Sequence, residues 1–333
     1  MYEFLGFSLA LATLLALNAA ASPVAAVCWR FMQRAASQWS SRSQAEILFI
    51  LRISPPALAL ISVAFFLVPS YLSYEPYATS EVVSKKLAAL AMISLVGVAF
   101  AVSRAFRSWF ATRALRRKWL RTADRIALSG IDIPAFRIVH SFPIIAVVGT
   151  LKPRLFIAER VLQSLSAEEL AAAIAHECGH LAARDNFKRA LLRACRDLLL
   201  MVPCGRALDR AWAETAECAA DEFAAQSSAL TALNLASALV RIAKMVPPGA
   251  SAILPMAAFL VGVDETRGVK ARVRRLIEIA SNDYRRVGEP PLTKALPAII
   301  FCSFLVLGVI VASNAHVLVI VHSAVEHVVS LLS

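Results

Sequence analysis

The chain has 333 residues, of which 59% are hydrophobic, and a mean hydropathy of +0.65. That is too apolar for an ordinary soluble protein and points to membrane spans. The net charge of +12 comes mostly from Arg and Lys flanking apolar runs. Positive-inside anchoring explains it, and with no nucleic-acid motif present, nucleic acid is not expected as a partner.

Residues 4–28 carry no charge and are long enough for a membrane-spanning helix. No basic segment precedes them, so a retained span is expected rather than a cleaved signal peptide. Arg30, Arg34 and Arg42 follow. A second span is expected over 53–72, with Arg52 at its edge and Pro55 and Pro56 in its first turns, where missing donors cost least. The loop 73–84 has Glu75 and Glu81 but no Lys or Arg, and a third span runs over 87–102. Arg104, Arg107, Arg113, Arg116, Arg117, Lys118, Arg121 and Arg125 then mark a cytoplasmic side. Counting back puts the loop after the first span inside and the N-terminus outside; Lys85 and Lys86 count against this order. The basic helix 104–121 is expected against anionic headgroups, at roughly 1 kcal/mol per basic residue. The bilayer is therefore an expected partner. The first unit, 1–121, holds three transmembrane helices and this basic juxtamembrane helix.

The second unit, 122–292, is expected to be a cytoplasmic domain. Ile133–His140, Ile144–Val148 and Arg154–Ile157 are short, apolar, β-branched and bounded by Pro or Gly, and read as strands. Ser166 followed by Glu169 is a capping box opening a helix that runs to about Ala183. That helix carries His176-Glu177-Cys178-Gly179-His180, an HExxH motif. Residues four apart lie on one helical face, so the two imidazoles can share an ion. Glu177 can reach the open side of that ion, where water would sit. Gly179 costs about 1 kcal/mol against Ala in a helix, which suggests close approach of another element.

Further helices are expected over 187–202, 208–225, 231–245 and 269–280. On the second of these, Glu217 and Asp221 are four apart. Glu217 can supply a third ligand, with Asp221 holding a ligand imidazole from behind. The competing reading is a solvated acidic stripe of Glu214, Glu217 and Asp221. Residues 245–263 are apolar and uncharged, but Pro247, Pro248, Gly249 and Pro255 argue against a regular span. Cys178, Cys195, Cys204 and Cys218 show no paired spacing and read as small buried thiols, reduced in a cytoplasmic domain. The last unit, 293–333, holds a fourth span over 296–313 and an apolar tail. There His316, His322 and His327 read as interfacial or packing groups, although His322 and Glu326 have accessory-metal spacing.

His176, Glu177, His180, Glu217 and Asp221 together resemble the gluzincin metallopeptidases, HExxH followed by ExxxD. The run Pro143–Ile157 and the continuation His180-Leu-Ala-Ala-Arg-Asp185 resemble, more narrowly, the integral-membrane BlaR/MecR-type antirepressor metallopeptidases. The resemblance implies an α-helical membrane protein with about four transmembrane helices and a mainly α (α+β) gluzincin-like domain. It implies one Zn2+ per chain, bound by His176, His180 and Glu217. Glu177 would be the general base and Asp221 the orienting carboxylate. Those receptors usually carry an extracytoplasmic penicillin-binding sensor; this sequence has none, so β-lactam sensing is not carried over.

The implied function is a zinc endopeptidase in a bacterial inner membrane, multi-pass, its protease domain facing the cytoplasm and cutting a cytoplasmic protein such as a transcriptional repressor. The implied partners are a protein or peptide substrate and the bilayer, with homodimer formation open. An extended peptide would add along the upstream strands. Tyr284, His140 and several Arg side chains compete as donors to the oxyanion, and nothing chooses between them. The alternatives are an HtpX- or CAAX-prenyl-protease-like quality-control enzyme and a non-catalytic metal-binding sensor or scaffold. The quality-control group places spans soon after the HExxH helix, whereas Arg193, Arg196 and Asp197 break the next apolar run here.

Overall fold

A computed structural model describes residues 2–76, 83–128, 131–197, 204–246, 266–281 and 314–332, with isolated positions between 303 and 310. The chain is mostly helical, with three helices long and apolar enough to cross a membrane. The first, α1, is Tyr2–Ala36. The second begins with α2 (Ser41–Ser62), passes through a π-helical turn at Val63–Leu67 and ends as α3 (Val68–Tyr74). The third, α4, is Lys85–Leu120. Ser40 and Ser84 cap α2 and α4 by accepting from the N–H groups of Ser43 and Leu87.

These helices are longer than a bilayer needs. At 1.5 Å per residue, the 35 residues of α1 extend about 52 Å, against a hydrocarbon core of about 30 Å. The surplus packs on the rest of the protein, and this corrects two expectations. Pro55 and Pro56 lie inside α2 rather than in its first turns, because Ser40 caps the helix well before the apolar run begins. The basic stretch 104–121 is not a separate helix but the continuation of the third span. No Pro or Gly lies between Val98 and Leu120 to break it. The π turn precedes Pro69, whose missing N–H leaves a carbonyl for the wider turn to accommodate.

A four-stranded sheet follows in the order β1-β2-β4-β3. The strands are β1 (Asp124–Ile126), β2 (Ala135–Ile138), β3 (Ile145–Val148) and β4 (Arg154–Ala158). β2 and β4 are parallel, and the other pairs are antiparallel. Three strands fall inside the segments legible in the sequence; β1 is a polar edge strand too short to show a pattern. The β3–β4 turn needs Gly149, at φ +110, where a Cβ would lie 2.9 Å from the Lys152 carbonyl oxygen.

The helices after the sheet are α5 (Glu159–Ser164), α6 (Ala167–Ala182), α7 (Asp185–Asp197), α8 (Cys204–Ala225), α9 (Ala229–Met245) and α10 (Thr266–Ser281). The capping box of α6 is formed in full, with Ser166 and Glu169 satisfying each other's backbone donors. The main core packs β3 and β4 against Ala172 and Ala173 of α6, Leu235 and Leu239 of α9, Leu276 of α10 and Trp119 of α4. Buried on all four residues, β3 lies directly over α6.

A second core joins the membrane hairpin to α8. Ala25 and Trp29 of α1 and Leu48 of α2 pack on Leu208, Trp212 and Ala216. At one end of the contact Arg52 donates to Asp209 at 2.8 Å. At the other the Ser41 N–H and hydroxyl donate to Glu222 at 3.1 and 2.7 Å. α8 therefore runs antiparallel along the first half of α2, and Lys188 of α7 pairs with Glu46 beside it. The C-terminal helix Ala315–Leu332 packs on the far end of the bundle, where Ser70 donates to the Leu318 carbonyl at 2.8 Å. Apart from isolated positions, the expected fourth span 296–313 lies outside the described residues, as do residues 247–263 of the apolar stretch 245–263.

Candidate metal centre

The HExxH helix presents three side chains to one place. His176 and Glu177 are fully buried and His180 is 3% exposed. The imidazoles stand 4.8 Å apart, centroid to centroid, with planes at 89°. α8 crosses α6 at Gly179, where an added Cβ would lie 3.0 Å from the Ala220 Cα and 3.2 Å from the Phe223 Cβ. This is the physical reason for glycine within the motif. It lets α8 bring Glu217, one turn before the crossing, over both histidines. Glu217 Oε2 is 3.6 Å from His176 Nε2, and Oε1 is 3.5 Å from His180 Nε2.

Both Nε2 atoms are buried without a hydrogen-bond partner, which is costly unless something else occupies their lone pairs. Among the described residues, His176, His180 and Glu217 are the group whose ligand atoms come close enough to hold an ion, all within 4.8 Å. Ligands about 2.0–2.2 Å from a tetrahedral zinc stand about 3.3–3.6 Å apart, and the two imidazole–carboxylate separations, each to its own Glu217 oxygen, fall in that range. The acidic-stripe alternative is not what the fold builds: Asp221 is buried, and Glu217 is 18% exposed. His322 and Glu326, 3.4 Å apart, have no third His, Cys, Asp or Glu beside them among the described residues.

A second layer holds the first. Asp221 Oδ1 is 2.9 Å from His176 Nδ1, and Asp185 Oδ2 is 2.7 Å from His180 Nδ1. The Asp185 hydrogen bond favours the His180 tautomer that leaves Nε2 for an ion, and Asp221, close to His176 Nδ1 but off the hydrogen-bonding angle, favours the same tautomer by its charge. Sequence reasoning placed Asp221 and missed the role of Asp185. Five positions past His180, Asp185 is off its face in a continuing helix. Arg184, at φ 55, ends α6 and turns Asp185 back onto the imidazole. Arg272 of α10 was also missed; it donates to both Asp221 oxygens and lies 3.2 Å from Glu217 Oε2.

The charges balance by proximity. Burial alone would lower the pKa of His180, but Glu217 and Asp185 outweigh it and raise it to about 10. Burial would raise that of Glu217, but His180, His176 and Arg272 hold it well below the usual carboxylate range. Glu177 is pushed up by burial, against the opposing pull of both histidines. Its Oε2 accepts from the Val147 N–H at 3.2 Å, while Oε1 is buried with no hydrogen-bond partner. Asn186 donates to the Val147 and Gly149 carbonyls at 2.9 and 3.3 Å, fastening the outer edge of β3 to α7.

Residues 111–246 match the sequence model of peptidase family M48. The matched stretch begins in the last third of α4 and takes in the sheet, α6 with its two histidines, and α8 with Glu217 and Asp221. It supports a metallopeptidase, and M48 peptidases are metal-dependent, typically with zinc. The match does not single out the BlaR/MecR type. Comparison with curated proteins gives no match. Over residues 111–246 the chain is thus similar to a metallopeptidase family, and three helices long and apolar enough to cross a membrane lie beside the site.

Proposed function

We propose that the chain is a membrane-anchored zinc endopeptidase that hydrolyses a peptide bond in a protein lying at the cytoplasmic face of a bacterial inner membrane. The observation that carries this is the meeting of two unpartnered imidazole nitrogens and a carboxylate in one buried cluster, with a third carboxylate, Glu177, beside them. His176, His180 and Glu217 would hold one zinc, and Asp221 orients His176. Bound zinc supplies Lewis acidity and brings the pKa of its water toward 7.

Glu177 is the general base. Its Oε2 is fixed by the Val147 N–H, so Oε1 is the atom left to take the proton of the attacking water and return it to the leaving amine. The burial that raises the Glu177 pKa brings it toward the range a general base needs. β3 lies over α6, and because Val147 on its outer edge is engaged by Glu177 and Asn186, an extended peptide adding to that edge would pair at Ile145, beside the base.

In the preferred reading the substrate is a cytoplasmic protein, with a transcriptional repressor implied by the BlaR/MecR resemblance. The helix after the motif supports it: α7 carries Asp185, Lys188, Arg189 and Arg193, charges that interrupt any apolar run directly after the motif. A quality-control role on membrane proteins is the second reading, favoured by the depth of the site. α8 runs along α2 from Ser41 to Arg52, which sets Glu217 beside the part of α2 that leads into the 53–72 run rather than beyond the hairpin tip. The basic run ending α4 supports the 122–292 domain facing the cytoplasm.

The test is comparison of the proteomes of cells carrying the wild type and Glu177→Gln. A soluble regulator accumulating in the variant supports the first substrate reading, and accumulating membrane proteins support the second. Indistinguishable proteomes would remove the peptidase reading.

A further inference from the structure

α10 places a guanidinium in an otherwise apolar stripe. Val269, Arg272, Leu276 and Ile279 face inward along one side of the helix, and Arg272 is only 7% exposed. A cation so placed is strongly disfavoured unless it is paired and hydrogen-bonded. Its partners belong to the metal centre. Nε and Nη2 donate to the two oxygens of Asp221 at 2.8 and 2.6 Å, the bidentate geometry that suits Arg and that Lys cannot reproduce. Nη1 is 3.2 Å from Glu217 Oε2. One planar group thus spans the carboxylate behind His176 and the carboxylate beside the two free Nε2 atoms. Residue 272 lies outside the stretch matched to peptidase family M48.

We propose that Arg272 is a positioning residue of the metal centre, holding Asp221 against His176 and aiming Glu217 at the zinc position through one guanidinium. The inference rests on the zinc peptidase reading above. Asp221, Glu217 and Glu177 crowd three carboxylates around two imidazoles in a buried space. Without Arg272, Asp221 loses its bidentate partner, and Glu217 keeps only the more distant Arg189, 3.8 Å from Oε1, against the repulsion of the neighbouring carboxylates. Arg272 supplies the charge and the angle together.

Arg275, one turn further along α10, offers an internal comparison. It pairs with Glu222, the residue after Asp221, and donates to the Ser41 hydroxyl at 2.8 Å. It ties the same two helices together and adds the tip of the α1–α2 hairpin. A purely structural role for Arg272 would make the two positions behave alike.

The experiment measures zinc affinity by chelator competition on the full-length protein in detergent, for wild type, Arg272→Lys, Arg272→Gln and Arg275→Gln. Thermal unfolding of the metal-free forms is followed in parallel. Outer-layer partners of ligands contribute about 10–100-fold in metal affinity. Arg272→Lys keeps the charge and is expected to stay folded, with zinc affinity down about tenfold because an ammonium cannot grip both Asp221 oxygens and Glu217. Arg272→Gln is expected to lose about 100-fold, and Arg275→Gln to bind zinc within about threefold of wild type even if it melts earlier. If Arg272→Gln does not fold, Arg272→Lys decides. Wild-type zinc affinity in folded Arg272→Lys, or equal losses in the Arg272 and Arg275 variants, would overturn the proposal. Failure of the wild type itself to bind zinc would instead overturn the underlying reading of the site.

Discussion

α8 carries two Asp residues paired with buried arginines, one near each end. Near its start Asp209 meets Arg52 of the membrane hairpin at 2.8 Å; near its end Asp221 meets Arg272 of α10 at 2.8 and 2.6 Å. The chemistry is the same, but the surroundings are not. Arg52 lies against the backbone of Gly205, where an added Cβ would stand 3.1 Å from its Nη2, and its pair lies beside the apolar cluster of Trp212, Leu208 and Leu48. Arg272 and Asp221 continue into His176 and Glu217. A buried ion pair reveals little by itself about function. What separates the two is whether the carboxylate has a second partner whose orientation matters. At Asp209 the pair anchors a helix; at Asp221 it shapes a metal centre.

The largest expected effect falls on the metal side. His180→Ala removes one of three ligands and should abolish both zinc retention and hydrolysis, measured by metal analysis and peptide cleavage on the same preparation. Stoichiometric zinc in this variant would mean that the ion is held elsewhere.

The next effect tests the anchor side. Arg52→Met removes the buried cation from a partly exposed Asp209, and leaving a polar group without such a partner costs about 1–3 kcal/mol. Unfolding should come at markedly lower temperature, while zinc affinity of the folded protein stays within about threefold. A large loss of affinity without loss of stability would erase the distinction drawn between the two pairs.

The third prediction concerns pH. In the metal-free site the pKa of His180 is raised to about 10, so the ring carries a proton at neutral pH that zinc must displace. Zinc affinity should therefore rise with pH, by up to about tenfold per unit, and flatten near pH 10. The stability that protonated His180 gives the metal-free form has the opposite course. It is present at and below neutral pH and is lost as pH rises through about 10. An affinity flat from pH 6 to 9 would show that no proton is displaced.

The smallest effect is expected at the helix crossing. Gly179→Ala gains helix propensity of about 1 kcal/mol but presses on Ala220 at 3.0 Å. The two nearly cancel in stability, and a few-fold loss of zinc affinity should report the displacement of Glu217.

The legible and hidden parts of this site divide along the same line. The capping box, the HExxH pair and the Glu217–Asp221 spacing are local to single helices, so helical geometry makes them readable. Gly179 announces a close crossing, though not which helix makes it. Asp185 depends on one residue, Arg184, adopting a left-handed backbone that its side chain does not signal. Arg272 is 51 positions from Asp221, and in sequence it is one of four basic residues within 269–280, with nothing local to mark it. The membrane helices were legible in their apolar runs but not in their true lengths. Their ends are set by packing against α7 and α8, which an apolar window does not register.

The central claim is that Glu177 acts on a substrate beside a metal that His176, His180 and Glu217 hold. Glu177→Gln keeps size and shape and can still accept from the Val147 N–H, but cannot take a proton. Zinc content and peptide hydrolysis should be measured side by side on purified wild type and this variant. About one zinc per chain in both is expected, with hydrolysis lower by about 10²–10⁴-fold in the variant. Undiminished hydrolysis by Glu177→Gln, or wild-type protein that cleaves without zinc, would contradict the account.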